Sequence, residues 1–93
     1  MAEPDADTIR LSVPVDEDMR PVVEVTIGVL ARRWGLSDDQ VASARAAAGD
    51  ALTELAQQGG DGPAEVEVHA TPRRLVVRIT HAGRERTFHA PPA

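Results

Sequence analysis

Asp50 and Glu54 stand four residues apart in the stretch GDALTEL, one turn of a helix from each other. A carboxylate can ligate a hard cation or take a proton from a reacting group, so this pair is the first candidate for chemistry. Three histidines follow later in the chain, His69, His81 and His89. Three imidazoles suffice for Zn²⁺ in principle. His69 and His81 fall on different predicted strands, however, with no carboxylate or cysteine at ligand spacing, so no metal site is expected. Ser12, Ser37 and Ser43 have no base at a recognisable offset. The chain contains neither a G-x-x-x-x-G-K-[ST] loop nor an H-E-x-x-H pair. With no cysteine it has no thiolate ligand, thiol nucleophile or disulfide.

The acid pair needs an element to carry it, and Ser37–Gln58 reads as one long helix. Ser37 is placed as N-cap and Gln40 three residues later completes a capping box. Leu36 and Val41 are spaced for a hydrophobic staple, and Asp38 and Asp39 put negative charge on the first turn. Val41, Ala44, Ala48, Leu52 and Leu55 share a face, and Gly59-Gly60 ends the helix. Asp50 and Glu54 fall near that apolar face.

An earlier helix is expected from the acidic run Asp16-Glu17-Asp18 to Trp34, with Pro21 confined to its first turn and Gly35 just past its end. Met19, Val22 or Val23, Thr26 or Ile27, Leu30 and Trp34 make its core stripe. Val25 and Val29 lie on another face, so the helix is apolar on more than one side. Two readings follow: a broad core contact with leftover β-branched residues, or a second packing surface for a partner or a twin subunit. On the second reading the surface is Val25 and Val29 with Glu24, Arg32 and Arg33 around them.

Strands flank the helices. In residues 8–15, Ile9, Leu11, Val13 and Val15 alternate with polar residues, and Pro14 marks an edge or an end. Residues 64–70 and 74–80 form a hairpin, with Val66, Val68, Leu75, Val77 and Ile79 inward. The outer faces oppose Glu65 and Glu67 to Arg74 and Arg78. A turn at Ala82-Gly83 leads to a short strand over 84–89. Residues 1–7 and 90–93 are expected to be disordered, which leaves one domain over 8–89. The fold class is α+β, two helices packed on one face of an antiparallel sheet.

Composition narrows the function classes. The 93 residues carry a net charge of −5, which argues against nucleic acid as the main partner. Residues 1–61 hold 12 acids against 5 arginines, residues 62–93 only 3 against 5, and there is no lysine. No apolar run approaches a membrane span and the acidic start is no signal peptide, so a cytoplasmic protein is expected. Trp34 and Phe88 are the only aromatic residues, so the core must be aliphatic.

The order and spacing resemble the histidine-kinase-like (GHKL) ATPase fold. They are most similar to the anti-sigma-factor serine kinases of bacterial partner-switching systems. The likeness is carried by the VPV strand, the helix ending in RRWGLSDDQV, the Ala-rich helix and the hairpin GPAEVEVHATPRRLVVRIT, together about Ile9–Gly83. The family places a Glu and an Asn one turn apart as general base and Mg²⁺ ligand, and the matching positions are Asp50 and Glu54. Its Asp-x-Gly-x-Gly adenine motif matches His81-Ala82-Gly83-Arg84-Glu85, where only Gly83 is kept. The resemblance thus implies a degenerate, truncated member, with Asp50, Glu54, His81 and Gly83 as remnants of a site and ATP and Mg²⁺ binding lost. Glu54 would add negative charge beside a triphosphate, and Asp50 is one methylene shorter than the family's base. What remains is a non-catalytic protein-binding regulator. The partner implied is a sigma factor or an anti-sigma antagonist, with a homodimer or heterodimer burying Val25 and Val29. The alternatives are an active kinase with divergent motifs and a small structural subunit.

Overall fold

A computed structural model of the chain describes residues 7–92. The elements are β1 (Asp7–Val13), a 3-10 turn (Glu17–Met19), α1 (Arg20–Arg33), α2 (Asp38–Gln57), β2 (Ala64–Thr71), β3 (Arg74–His81) and β4 (Arg84–Ala90). The strands form one antiparallel sheet in the order β1-β2-β3-β4. This is the expected α+β class, with both helices on one face of the sheet.

Alternation sets the sheet. In β2 and β3 every second residue is buried, Ala64, Val66, Val68 and Ala70 against Leu75, Val77, Ile79 and His81. The register pairs Ile9 with Val68, Leu11 with Val66 and Val13 with Ala64, so the apolar face of β1 continues the same layer. The strand stops at Val13 because Pro14 has no N–H to give the ladder. The two hairpins are tight. Arg73 takes φ 61° in the β2–β3 turn, and its N–H reaches the Trp34 carbonyl at 2.6 Å, tying this turn to the α1–α2 loop. Ala82 and Gly83 have φ of 51° and 79°, the two left-handed residues of a type I′ hairpin.

The capping box of α2 is present: the Ser37 hydroxyl accepts from the Gln40 N–H at 3.2 Å, and the Gln40 carbonyl oxygen accepts from the Ser37 N–H at 2.9 Å. The core stripe of α2 is Val41, Ala44, Ala48, Ala51, Leu52 and Leu55. Asp16 caps the first turn by accepting from the Met19 N–H, but this turn is 3-10 and the α-helix proper starts at Arg20. From there α1 buries Val23, Ile27, Gly28 and Ala31. These residues merge with those of α2 and the inner sheet face into one cluster, with Met19, Leu30 and Trp34 half-buried against it.

Several boundaries move. Asp7, assigned to a disordered start, opens β1, and Ala90, assigned to a disordered tail, is a buried residue of β4. Pro91 and Pro92 continue from it along the flank of α2. Backbone pairing explains both ends: Asp7 stands opposite Ala70 and Ala90 opposite Leu75, so the ladders run further than the side-chain pattern. The disorder expected for residues 1–6 and 93 lies outside the described residues. Among the described residues no helix is long and apolar enough to cross a membrane.

Candidate functional site

The four remnant positions do not converge. Asp50 is 73% exposed and serves α1: the Arg20 guanidinium donates to Asp50 Oδ1 at 2.9 Å, to Thr53 Oγ1 at 2.7 Å and to Glu24 Oε2 at 2.8 Å. The hydrogen bond to Asp50, followed by that to Glu24, raises the pKa of Arg20 further above its usual value. Gly49 makes room for this network. A Cβ there would strike the Glu24 carboxylate and the Arg20 guanidinium. Glu54, one turn on, is engaged from the sheet instead: Arg86 of β4 donates to its Oε1 from Nε at 2.8 Å and from a terminal nitrogen at 2.6 Å. Each carboxylate is therefore held by its own arginine, and the pair presents no shared cation position.

His81 was expected in the loop beyond the hairpin, where an adenine-reading residue would stand. It is instead the last residue of β3, points inward and is 3% exposed. The pleat explains this, because position 81 continues the 75-77-79 face. Its Nε2 lies 3.1 Å from the Gly62 carbonyl, which can only accept, so Nε2 carries the proton and Nδ1 is left without a partner among the described residues. Gly83 does no more than complete the turn. His69 and His89 sit on the opposite face, beside Thr8 and Arg74. Among the described residues no three His, Asp or Glu side chains cluster to hold a metal ion. Asp50 and Glu54 thus stand on separate arginines, His81 in the core and Gly83 in a turn.

The other candidate residues do assemble. Val25, Val29, Arg32 and Arg33 of α1 line a groove of about 410 Å³ with Gly28, Val41 and Arg45. Val25 is 54% and Val29 60% exposed, whereas Val23, two and six residues away, has no exposure at all. Val41 forms a buried floor. Gly28 leaves room for the Arg45 side chain, with which a Cβ at this position would collide. Arg32 reaches Asp38 at 3.3 Å. Arg33 and Arg45 have no carboxylate within ion-pair distance among the described residues, so the rim of this groove is positive although the chain is acidic. Glu24 is the exception among the expected binding residues. It turns away, half-buried, to Arg20, because position 24 is one turn from 20 and faces the α2 seam.

Sequence reasoning missed Gly28, Val41 and Arg45. The available signal was Gly28, a helix-weakening residue in the middle of α1 that has to be justified by close packing. The outer sheet face satisfies itself. Glu67 bridges Arg10 at 2.9 Å and Arg78 at 2.7 Å, and Ser12 donates to Glu65 at 2.8 Å. The hydrogen bond from Arg10, with the charges of Arg78 and Arg10, holds the Glu67 carboxyl below its ordinary pKa despite partial burial, which acts the other way. The expected cross-strand match is thus Glu67 with Arg78, while Arg74 reaches His89 on β4.

No protein-family model matches this chain, and none of the curated proteins searched matches it.

Proposed function

We propose that the protein is a non-catalytic regulator that binds another protein through the α1–α2 groove, in the manner of an anti-sigma factor that has lost its nucleotide chemistry. The observation that carries this reading is the pair of exposed valines, Val25 and Val29, set over an apolar floor and rimmed by Arg33 and Arg45. Exposed β-branched side chains beside unpaired cations suit a partner that offers an apolar side chain flanked by acids. The resemblance supplies the class of partner, a sigma factor or a sigma antagonist, and the acidic start with no apolar span is the ground for placing it in the cytoplasm. The same valines cannot serve a partner and a second copy at once, so the heterodimer is placed here. The net charge of −5 favours a protein partner over nucleic acid.

Two experiments test this. Tagged protein is captured from its native cell with the wild type and with Val25→Asp/Val29→Asp, and the recovered partner is then titrated calorimetrically. A charge buried without a counterion costs roughly 2–5 kcal/mol, or about 30-fold or more in affinity. A partner held equally well by both proteins would refute the groove. Calorimetry with Mg-ATP and Mg-ADP at millimolar nucleotide is expected to give no saturable heat, since Asp50 and Glu54 are tied to Arg20 and Arg86. Saturable binding lost in Glu54→Ala would favour the active kinase instead.

A further inference from the structure

The strand β4 is an edge of the sheet, and among the described residues nothing pairs with its outer side. The turn before it fixes which groups point outward. His81 and Arg84 flank a two-residue type I′ loop and therefore form a hydrogen-bonded pair, and in an antiparallel ladder such pairs alternate. Arg84, Arg86, Phe88 and Ala90 thus spend their backbone groups on β3. Glu85, Thr87 and His89 direct their N–H and C=O groups outward.

The ladder itself does not blunt this edge. The β3–β4 register runs unbroken from Leu75↔Ala90 to His81↔Arg84, with neither a bulge nor a proline inside the strand. Its two arginines are turned back on their own chain, Arg84 to the Gly59 carbonyl and Arg86 to Glu54 and, at 2.9 Å, to the Glu85 carbonyl, whose second lone pair stays open to a pairing strand. The exposed inner flank of the strand, around Phe88, opens on an apolar groove of about 450 Å³ against Ser43, Ala44 and Ala47 of α2.

We infer that β4 pairs with β4 of a second copy, antiparallel about a twofold axis at Thr87. The order Arg84-Glu85-Arg86-Thr87-Phe88-His89-Ala90 is complementary to its own reverse about that centre. Thr87 meets Thr87 of the second copy in a hydrogen-bonded pair, a favoured cross-strand combination. Glu85 meets His89 of the second copy on the outer face, twice. Arg74 donates to His89 Nδ1 at 3.0 Å, so Nε2 carries the proton and is the donor for that carboxylate. On the inner face the stem of Arg86 lies against the Phe88 ring of the second copy and covers its exposed side. The other edge does not share this property, because a twofold axis at the centre of β1 sets Arg10 against Arg10. Self-association thereby leaves Val25 and Val29 for a different protein. A single edge of this length is a small interface, so the dimer forms in the micromolar range.

The experiment is sedimentation velocity across the micromolar range on the full chain, with circular dichroism to verify that each variant is folded. Thr87→Pro removes an outward N–H and none of the β3–β4 hydrogen bonds, and it is expected to sediment as a monomer. Glu85→Arg weakens the dimer by at least about tenfold, and Glu85→Arg/His89→Glu restores it by setting an arginine against a glutamate at the same two contacts. Val25→Asp/Val29→Asp dimerises as the wild type does. Isotope-filtered NMR on mixed labelled and unlabelled protein is expected to place Arg86 Hα beside Phe88 Hα of the other copy, a close non-hydrogen-bonded pair. A wild type that stays monomeric at high-micromolar concentration overturns the inference. So does a Thr87→Pro protein that dimerises normally, or a dimer dissolved by the valine variant instead. The first two outcomes leave capture of a partner by the groove untouched, whereas the last would seat a second copy on the valines and count against that reading as well.

Discussion

The two sides of α1 carry the same kind of residue to opposite ends. Val23, Ile27 and Ala31 face α2 and the sheet and are wholly buried, while Val25 and Val29, on the other side, stay more than half exposed. Burying a valine or isoleucine contributes roughly 1.5–3 kcal/mol to folding. The outer valines contribute little of this, so their apolar surface stays in contact with water until something covers it. Residue type alone therefore does not distinguish core from contact surface in this helix. What distinguishes them is which side of α1 packs against α2 and the sheet.

The largest expected effect breaks the inner side. Ile27→Ala is predicted to cost about 2–5 kcal/mol of stability, measured by urea denaturation. Removing the cap of the neighbouring helix is next. Ser37→Ala leaves the Gln40 N–H without its acceptor and is predicted to cost about 1 kcal/mol. Val29→Ala sharpens the comparison from the outer side, with a predicted change within about 0.5 kcal/mol. A loss at Val29 as large as that at Ile27 would mean that the outer face is core after all.

The smallest effect separates the self-satisfied outer face of the sheet from the open face of α1. Glu67 has a lowered carboxyl pKa in the folded protein. Its contribution to stability is therefore present above the ordinary carboxylate value and is lost as the pH falls through the lower, folded value. Thermal melts from neutral pH into the acid range should show the wild type losing more stability than Glu67→Gln. Equal losses would mean that the Arg10–Glu67–Arg78 bridge contributes nothing to folding.

Most of the architecture was legible in the sequence because its signals are local. The Ser37–Gln40 box, the period-two runs of β2 and β3 and the turn at Ala82-Gly83 each span a few residues, and each folds as read. In α1 the β-branched residues encircle the axis, so periodicity alone left Val22 or Val23, and Thr26 or Ile27, open. Only the position of α2 decides for Val23 and Ile27. The fate of the acid pair was not legible either. Arg20 and Asp50 lie 30 residues apart, and Arg86 and Glu54 lie 32 apart, so their pairing exists only once the helices and sheet have docked. His81 was misplaced for a related reason. The match to the adenine motif put it in a loop, but the pleat of β3 carried it inside, where the Gly62 carbonyl meets its Nε2.

The central claim is that the outer face of α1 binds and the acid pair of α2 does not. The most direct measurement is calorimetric titration of the captured partner against three proteins: wild type, Val25→Asp/Val29→Asp and Asp50→Asn/Glu54→Gln. The valine variant is predicted to lose about 30-fold or more in affinity, while the amide variant binds as the wild type does. Full affinity in the valine variant together with loss in the amide variant would contradict this account.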